Sequence, residues 1–263
     1  MKRIAVFRYH KDADICINRL ELFKSFNPEV EVHGIYGGSE DEFDHYTTTL
    51  GQYLTSNYCL KGVPSEWKWK NFDFILQKWY ADAGKEIEFD YLHLLEWDFI
   101  MFDSLENLYR DIPENGVGLT GLIPLEKIEN QWYWTVNPER RKEWKRLMKS
   151  VEENFDYHHK PYGALCPGLS LPKNCLEKME RIRLPELLND EVRLPLYAQI
   201  SEYELYDTGF YRKWFSKREF RYFNCNEFNI REKTIRKQLK KKKGRRVFHP
   251  FREKVDLELR PKI

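Results

Sequence analysis

Two carboxylates lie in the middle of an apolar run, HLLEWDFIMF, at residues 93–102. Side chains at positions i and i+2 of a β-strand point to the same face, so Glu96 and Asp98 project together if the strand continues through both. An ionised carboxylate buried without a partner is costly, so a countercharge must lie nearby. Two convergent carboxylates can hold a hard divalent cation that keeps coordination positions for phosphate oxygens. Alternatively, they cap a neighbouring helix or pair with Arg or Lys.

The surrounding sequence predicts that these carboxylates lie at the edge of a sheet. Apolar spacing and the positions of Gly and Pro indicate alternating strands and helices. The predicted elements are a strand at 3–8, a helix at 13–26, a strand ending at Gly37-Gly38, a small strand at 57–60, a helix at 66–84, a central strand at 89–98, a short helix at 104–111, a strand at 117–123 and a helix near 138–153. Such alternation favours a parallel sheet whose ligands bind at the carboxyl ends of the strands.

Composition and charge bound the class of protein. The chain has 263 residues, of which 41% are hydrophobic and 33% are charged, which is typical of a soluble globular protein. Its net charge of +2 gives no global field that would favour nucleic acid. The five cysteines include no CxxC pair and predict free thiols in a reducing cytoplasm. We see neither a signal sequence nor a run long enough to span a membrane, and we predict a cytoplasmic protein.

Basic residues are concentrated in the segment RKQLKKKKGRR at 236–246. Such a run is usually a solvated face, but it can also contact anionic lipid headgroups, at about 1 kcal/mol per basic residue. No recognition motif accompanies it, so a specific nucleic acid partner is not expected. We expect the basic C-terminal segment to wrap the surface and to allow peripheral contact with an anionic membrane.

The segment FDYLHLLEWDFIMFDSL, in its strand–helix–strand setting, resembles the nucleotide-sugar glycosyltransferases of GT-A type, including small bacterial and algal-virus enzymes. Their hallmark is an acidic-x-acidic motif after an apolar central strand. Aspartate is common at both ends of that motif, whereas this chain has Glu96 first. The resemblance implies an α/β fold with a Rossmann-type, mixed and mostly parallel central sheet flanked by helices. We expect a single domain, 1–263, with a nucleotide-sugar-binding half (1–122) and an acceptor half (123–263).

The resemblance also implies the reaction. A hexose or pentose would pass from a UDP- or GDP-sugar to a hydroxyl of a glycan, glycoprotein or lipid-linked acceptor, with Mn²⁺ or Mg²⁺ at the acidic motif. Asp98 would bind the ion, and Glu96 would reach it through water or hold the donor's ribose or sugar. Some enzymes of this type supply a further ligand from a C-terminal histidine, and His249 fits by order alone. The alternative for His249 is a structural or exposed side chain.

Residues after the first two strands are candidates for nucleotide binding. By resemblance, Tyr9 would stack on the base and Arg8 would meet a phosphate oxygen. The alternative is an ordinary polar loop. Gly37 and Gly38 would let the backbone approach the nucleotide, or would form a simple turn.

Three further segments of the chain carry candidates for sugar or donor contacts. Lys70 and Asp73 lie on the helix before the acidic motif, where they would contact the donor or form a surface ion pair. Gly168, in PYGALCPGLSLP, would let a sugar lie close to the backbone, or would belong to a Gly-Pro turn. Trp132 and Trp134 would stack on a sugar, or would be buried.

The catalytic base of inverting enzymes of this type is an acidic residue late in the chain. Asp190 and Glu191, at a predicted helix start, are the candidates. Acidic residues at helix N-termini are also ordinary caps. We assign Asp190 as the cap and Glu191 as the base, with the exchanged roles left open.

Two rival functions follow from the same residues. A sugar nucleotidyltransferase also uses an α/β sheet and Mg²⁺, but it should carry a Gly-rich, basic loop after the first strand, and RYHKDAD has no glycine. A non-catalytic binding module with a basic tail is the rival from a different class. Metal-dependent binding of a nucleotide sugar would separate the enzyme from the module.

Overall fold

The computed structural model describes residues 1–226 and 228–262, which form a mixed sheet flanked by helices. The strands are β1 (Arg3–Tyr9), β2 (Glu31–Tyr36), β3 (Ser56–Cys59), β4 (Tyr91–Glu96), β5 (Ile100–Met101), β6 (Val117–Pro124), β7 (Tyr162–Pro172), β8 (Leu205–Asp207) and β9 (Val247–Phe248). The helices are α1 (Ala13–Phe26), α2 (Phe43–Leu50), α3 (Ser65–Lys70), α4 (Phe72–Asp82), α5 (Leu105–Leu108), α6 (Tyr133–Val136), α7 (Pro138–Phe155), α8 (Lys173–Arg181), α9 (Asp190–Ile200) and α10 (Glu232–Leu239).

Seven strands form the central sheet in the order β3-β2-β1-β4-β7-β6-β8. Strands β1 to β4 are mutually parallel, and β8 is parallel to β6, whereas β7 runs antiparallel to both β4 and β6. The predicted mixed, mostly parallel sheet is therefore confirmed. The carboxyl ends of β1, β2 and β4 meet at one edge, and the acidic motif lies at that edge because β4 ends at Glu96.

The two faces of the sheet are covered by different helices because β1 and β4 are apolar on both faces. Helix α4 contributes its predicted apolar face to one core, with Phe72, Ile75, Leu76 and Trp79 all buried. Helices α1 and α2 contribute to a second core on the other face. The helix expected over 66–84 is divided in two, since Asn71 leaves helical geometry with φ −125° and ψ 43°.

The C-terminal segment does not wrap the surface as expected. Strand β9 pairs antiparallel with β5, directly after the acidic motif. Phe248, Phe251 and Val255 are buried in a third apolar core with Leu22 and Phe102. The apolar residues of this segment drive it inward, although its overall composition is basic.

All five cysteines are free thiols. No helix in the described part of the chain is long and apolar enough to cross a membrane.

Candidate active site

Three side chains converge at the carboxyl end of β4. Oxygen atoms of Glu96 and Asp98 and a ring nitrogen of His249 all lie within 4.8 Å of one another. The Nε2 atom of His249 is 3.7 Å from Glu96 Oε2 and 3.4 Å from Asp98 Oδ1. His249 reaches this edge because β9, which ends one residue earlier, pairs with β5. The structure therefore brings together all three residues that were predicted as metal ligands.

The carboxylates converge through a turn, which corrects the expected strand geometry. Strand β4 ends at Glu96, and the amide of Phe99 donates a hydrogen bond of 2.9 Å to the Glu96 carbonyl. Asp98 therefore lies in a tight turn, and the two-residue period of a strand does not apply to it. Its amino-acid type was the useful signal, whereas the predicted strand through residue 98 was wrong.

Two arginines hold the outer oxygens of the carboxylates. Arg8 donates to Glu96 Oε1 at 3.2 Å, and Arg252 donates to Asp98 Oδ2 at 3.1 Å. The other oxygen of each carboxylate, Glu96 Oε2 and Asp98 Oδ1, faces His249. Burial acts to raise the pKa of Asp98, but His249 and Arg252 outweigh it and lower that pKa to about 2. An ionised Asp98 with an inward-facing oxygen is the state that a metal ligand requires.

The orientation of His249 is set by a backbone carbonyl. Its Nδ1 lies 2.7 Å from the Asn224 oxygen, which can only accept, so Nδ1 carries the hydrogen and Nε2 faces the carboxylates. Burial acts to lower the pKa of His249, but the charges of Asp98 and Glu96 outweigh it, and the pKa is raised. Two carboxylate oxygens and one oriented imidazole nitrogen, which would release its Nε2 proton when an ion binds, form a donor set that fits a divalent cation such as Mn²⁺.

Arg8 belongs to this site, but its partners are carboxylates. It is the register partner of Glu96 across the parallel β1–β4 pair, which places both side chains on one face. Its guanidinium also lies 3.6 Å from Asp190 Oδ2. Burial acts to lower the pKa of Arg8, yet Glu96 and Asp190 outweigh it and raise that pKa. Arg8 therefore connects the acidic motif to the start of α9.

Tyr9 is not placed to stack on a base. Alternation along β1 directs it to the face opposite Arg8, where it is fully buried beside Tyr36 and Tyr46. Its hydroxyl donates to Asn57 Oδ1 at 3.0 Å. Because consecutive side chains of a strand point to opposite faces, Arg8 and Tyr9 cannot share one nucleotide site as predicted.

The glycines after β2 serve contacts within the protein. The Gly37 amide donates to the Tyr9 carbonyl at 2.7 Å, which extends the β1–β2 pairing beyond Tyr36. A Cβ on Gly38 would overlap the Tyr36 ring. The Gly38 carbonyl accepts a hydrogen bond of 3.0 Å from Lys68. These contacts explain both glycines without a nucleotide.

Asp73 lies in the core, so the prediction that it contacts the donor or forms a surface ion pair is wrong. Both of its oxygens accept hydrogen bonds of 2.7 Å from Arg193, and both side chains are fully buried. Lys70 is half-buried on α3 and forms no ion pair with any residue that the structure describes. The break at Asn71 separates the two residues, so they do not share the face that one continuous helix would have given them.

Gly168 packs against protein side chains, so it leaves no space for the sugar that was predicted to lie beside it. Its φ of +79° is a conformation that favours glycine, and a Cβ there would lie 2.9 Å from the Phe210 ring. The register of β7 against β6 shifts beside it, so it belongs to an irregularity in the strand pair. Trp132 and Trp134 are buried, as the alternative interpretation predicted.

The start of α9 presents two buried oxygen atoms that accept no hydrogen bond from the described residues. Asn189 occupies the cap position without a capping hydrogen bond, and Asp190 is the first helical residue. Asp190 Oδ1 accepts from the Glu191 amide at 2.9 Å, whereas Asp190 Oδ2 and Asn189 Oδ1 are buried and accept no hydrogen bond. Burial raises the pKa of Asp190 to about 7, although Arg8 opposes the shift.

Glu191 is held from one side only. Its Oε2 accepts from Trp134 Nε1 at 3.0 Å and from Asn189 Nδ2 at 3.3 Å. Burial raises the pKa of Glu191 to about 7, while these two hydrogen bonds act to lower it. No described residue donates to Oε1, so the carboxyl group is oriented and retains a free oxygen. A carboxylate with this pKa and geometry can act as a general base near neutral pH.

No protein-family model and no curated protein sequence matches the chain. Among solved structures, it is similar to the galactosyltransferase LgtC in complex with donor and acceptor sugar analogs, at 14% identity and a TM-score of 0.41, over 73% of this chain and 70% of that one. It is also similar to apo mouse xyloside xylosyltransferase 1, at 8% identity and a TM-score of 0.40, over 79% and 85% of the two chains. Both of those proteins are named as glycosyltransferases.

Proposed function

We propose that the protein is a metal-dependent glycosyltransferase that uses a nucleotide-diphosphate sugar. The observation that carries this proposal is the convergence of Glu96 Oε2, Asp98 Oδ1 and His249 Nε2 at the carboxyl end of β4. In open α/β sheets this edge is where ligands bind. The arginines pair with the outer oxygens, so the inward oxygens, which face His249, are the atoms available to a cation. A site of this kind suits a diphosphate carried with its cation.

The residues that would hold Mn²⁺ or Mg²⁺ are Asp98, Glu96 and His249. When bound, the ion supplies Lewis-acid stabilisation to the leaving nucleoside diphosphate. Arg8 keeps Glu96 oriented, and Arg252 does the same for Asp98. These pairs restrict the carboxylates to one rotamer each, which preorganises the site.

The start of α9 would bind the sugars. Asn189 Oδ1 is buried and accepts no hydrogen bond, and Asp190 Oδ2 has only its ion pair with Arg8, so both oxygens are acceptors for sugar hydroxyl groups. Glu191 would take the proton from the acceptor hydroxyl through its free oxygen. The donor would be a UDP- or GDP-sugar carrying a hexose or pentose, and the acceptor a glycan, glycoprotein or lipid-linked glycan. The proposed setting is cytoplasmic glycan biosynthesis, with peripheral membrane contact.

The experiment that tests this function is a donor assay on the full chain. UDP- and GDP-sugars are incubated with the protein in Mn²⁺, in Mg²⁺ or in EDTA, and release of UDP or GDP is measured with and without simple sugar acceptors. We expect release with one nucleotide class, dependent on the ion and stimulated by an acceptor. Release that is unaffected by EDTA, or its absence with every donor, would contradict the proposal.

Replacement of His249 by Gln should weaken Mn²⁺ binding. Loss of an outer-shell partner alone costs about 10- to 100-fold in metal affinity, and loss of a ligand should cost at least as much. Titration of Mn²⁺ followed by electron paramagnetic resonance measures the change. His159→Gln is the matched control because His159 is exposed. Equal Mn²⁺ affinity in both variants and the wild type would remove His249 from the ligand set.

Transfer should depend on pH through Glu191. A base accepts a proton only when ionised, so the rate should rise as the pH passes through about 7 and level off above it. Glu191→Gln should remove this rise and lower kcat by about 10²- to 10⁴-fold. The pH profile of Asp190→Asn is the comparison, because Asp190 has a similarly raised pKa. Should Asp190→Asn lose the rise while Glu191→Gln keeps it, the two roles are exchanged.

A further inference from the structure

A basin of 290 Å³ lies between two basic segments of the C-terminal part of the chain. Residues 212–222 form one wall and residues 238–245 the other. The basin shares no residue with the candidate metal cluster. We call it the basic basin, and its cationic lining residues are Arg212, Lys213, Arg218, Lys241, Lys243 and Arg245.

The acidic residue of the lining is already neutralised. Glu219 is buried and accepts hydrogen bonds of 2.6 and 2.7 Å from the two terminal nitrogens of Arg245. The Arg212 amide donates to the same carboxylate at 3.1 Å. Arg245 also lies over the Tyr222 ring, at 4.7 Å from its centroid. The bidentate pair of Arg245 and Glu219 therefore contributes no net charge to the lining of the basin.

The other cationic side chains of the basin are exposed and form no ion pair within the described part of the chain. Among residues 1–226 and 228–262, no carboxylate forms an ion pair with Arg212, Lys213, Arg218, Lys241 or Lys243. Lysines elsewhere on the surface do find such partners, as in the pairs Lys142–Glu139 and Lys160–Glu126. Like charges gathered around a concave surface repel one another and focus a positive potential into the cavity.

We propose that the basic basin binds an anion that carries two or more phosphate groups. Arginine forks match phosphate oxygens bidentately, and lysines add point charges, so the lining combines both modes of phosphate recognition. The volume of 290 Å³ is just below the range of drug-sized ligand sites, about 300–1,000 Å³, which suits a ligand as small as a diphosphate or a bis-phosphorylated headgroup. A soluble phosphorylated molecule and a lipid headgroup share this chemistry. The inference does not depend on the proposed transfer reaction.

The basin is joined directly to the segment that carries His249. The carbonyl of Tyr222, a lining residue, accepts the His249 amide at 3.3 Å. The next residue, Phe223, packs its ring against the imidazole with centroids 5.2 Å apart. An anion bound in the basin therefore occupies the same structural unit as the metal ligand.

Calorimetric titration with inorganic pyrophosphate tests the proposal. The full chain is kept in EDTA, so that the candidate metal cluster cannot contribute. Lys241→Ala/Lys243→Ala should weaken pyrophosphate binding about tenfold or more, because it removes two charge-assisted contacts. The control is Lys240→Ala/Lys242→Ala, which removes two exposed lysines of the same run that do not line the basin. It should change the affinity by less than about twofold.

Two outcomes would contradict the proposal that the basic basin binds a phosphorylated anion. One is that wild-type protein binds no pyrophosphate, and the other is that both double variants weaken binding equally, as a diffuse basic surface would. Sedimentation with vesicles of phosphatidylcholine, with and without phosphatidylglycerol and phosphatidylinositol bisphosphate, distinguishes the source of the anion. Vesicle binding that is lost only in Lys241→Ala/Lys243→Ala assigns a lipid headgroup. Pyrophosphate binding without vesicle binding assigns a soluble phosphorylated ligand.

Discussion

Replacement of Asp98 by Asn should reduce sugar transfer by about three orders of magnitude or more, since metal-ion stabilisation of the leaving group contributes several kcal/mol. The side chain keeps its size and can still accept from Arg252, so the fold should persist. What is lost is the ionised oxygen that faces His249. Asp98 is ionised well below neutral pH in the wild type, with a pKa of about 2. Steady-state transfer and Mn²⁺ titration on the same preparation measure both consequences.

The control for this variant is Asp111→Asn, which makes the same chemical change at a nearly fully exposed carboxylate. Its transfer rate and its Mn²⁺ affinity should match the wild type. Far-ultraviolet circular dichroism should be similar for all three proteins, and Asp98→Asn should still unfold cooperatively, at a lower temperature because it loses the charge that His249 and Arg252 stabilise. A folded Asp98→Asn protein with wild-type transfer would show that the acidic motif is structural.

The second large effect concerns stability. Asp73→Ala should lower the free energy of unfolding by about 3–5 kcal/mol, because it leaves the guanidinium of Arg193 buried without its countercharge. Arg193 is fully buried and also donates to Asn71 Oδ1 at 2.8 Å and to the Leu187 carbonyl at 2.8 Å. The pair thereby joins α4, the break before it and α9. Denaturant unfolding measures the change.

A surface ion pair provides the contrast. Glu139 and Lys142 are both about three-quarters exposed, so Glu139→Ala should cost no more than about 1 kcal/mol. The double replacement Asp73→Leu/Arg193→Leu should recover part of the loss, since it removes both buried charges. An effect of Asp73→Ala no larger than that of Glu139→Ala would contradict the buried-pair interpretation.

The sheet could be predicted from the sequence because its signals are local. The apolar runs of β1 and β4 and the breaks at Asn27-Pro28 and Gly37-Gly38 indicate the alternation directly. The same signals placed the acidic motif at the carboxyl edge. Its local geometry was mistaken, because nothing in the residues around Asp98 shows that the strand ends at Glu96.

The partners of the acidic motif could not be predicted in this way. Arg8 is 88 positions from Glu96, and Arg252 is 154 positions from Asp98, so both contacts exist only after folding. The alternation of side chains along β1 would have placed Arg8 and Tyr9 on opposite faces of the sheet, and this signal was overlooked. For His249 the order along the chain was the available clue. The apolar residues Phe248 and Phe251 beside it indicate why that segment is buried.

Burial also decided the outcome for several candidate residues. Asp73 and Gly168 were candidates because of their residue type, yet their neighbours are Arg193 and the Phe210 ring. A sequence does not distinguish a carboxylate that meets a ligand from one that meets a distant arginine. Arg212, Lys213 and Arg218 were similarly overlooked, because they form the basic basin only together with Lys241 and Lys243, which are distant in sequence.

Calorimetric titration of UDP- and GDP-sugars into the wild-type full chain, once with Mn²⁺ and once with EDTA, tests the central claim most directly. The claim is that Glu96, Asp98 and His249 hold a cation that binds the donor diphosphate. We predict saturable binding of one nucleotide class in Mn²⁺ and a loss of affinity of about tenfold or more in EDTA, because the diphosphate loses its cation. Binding of equal affinity under both conditions, or no binding of either class in Mn²⁺, would contradict it.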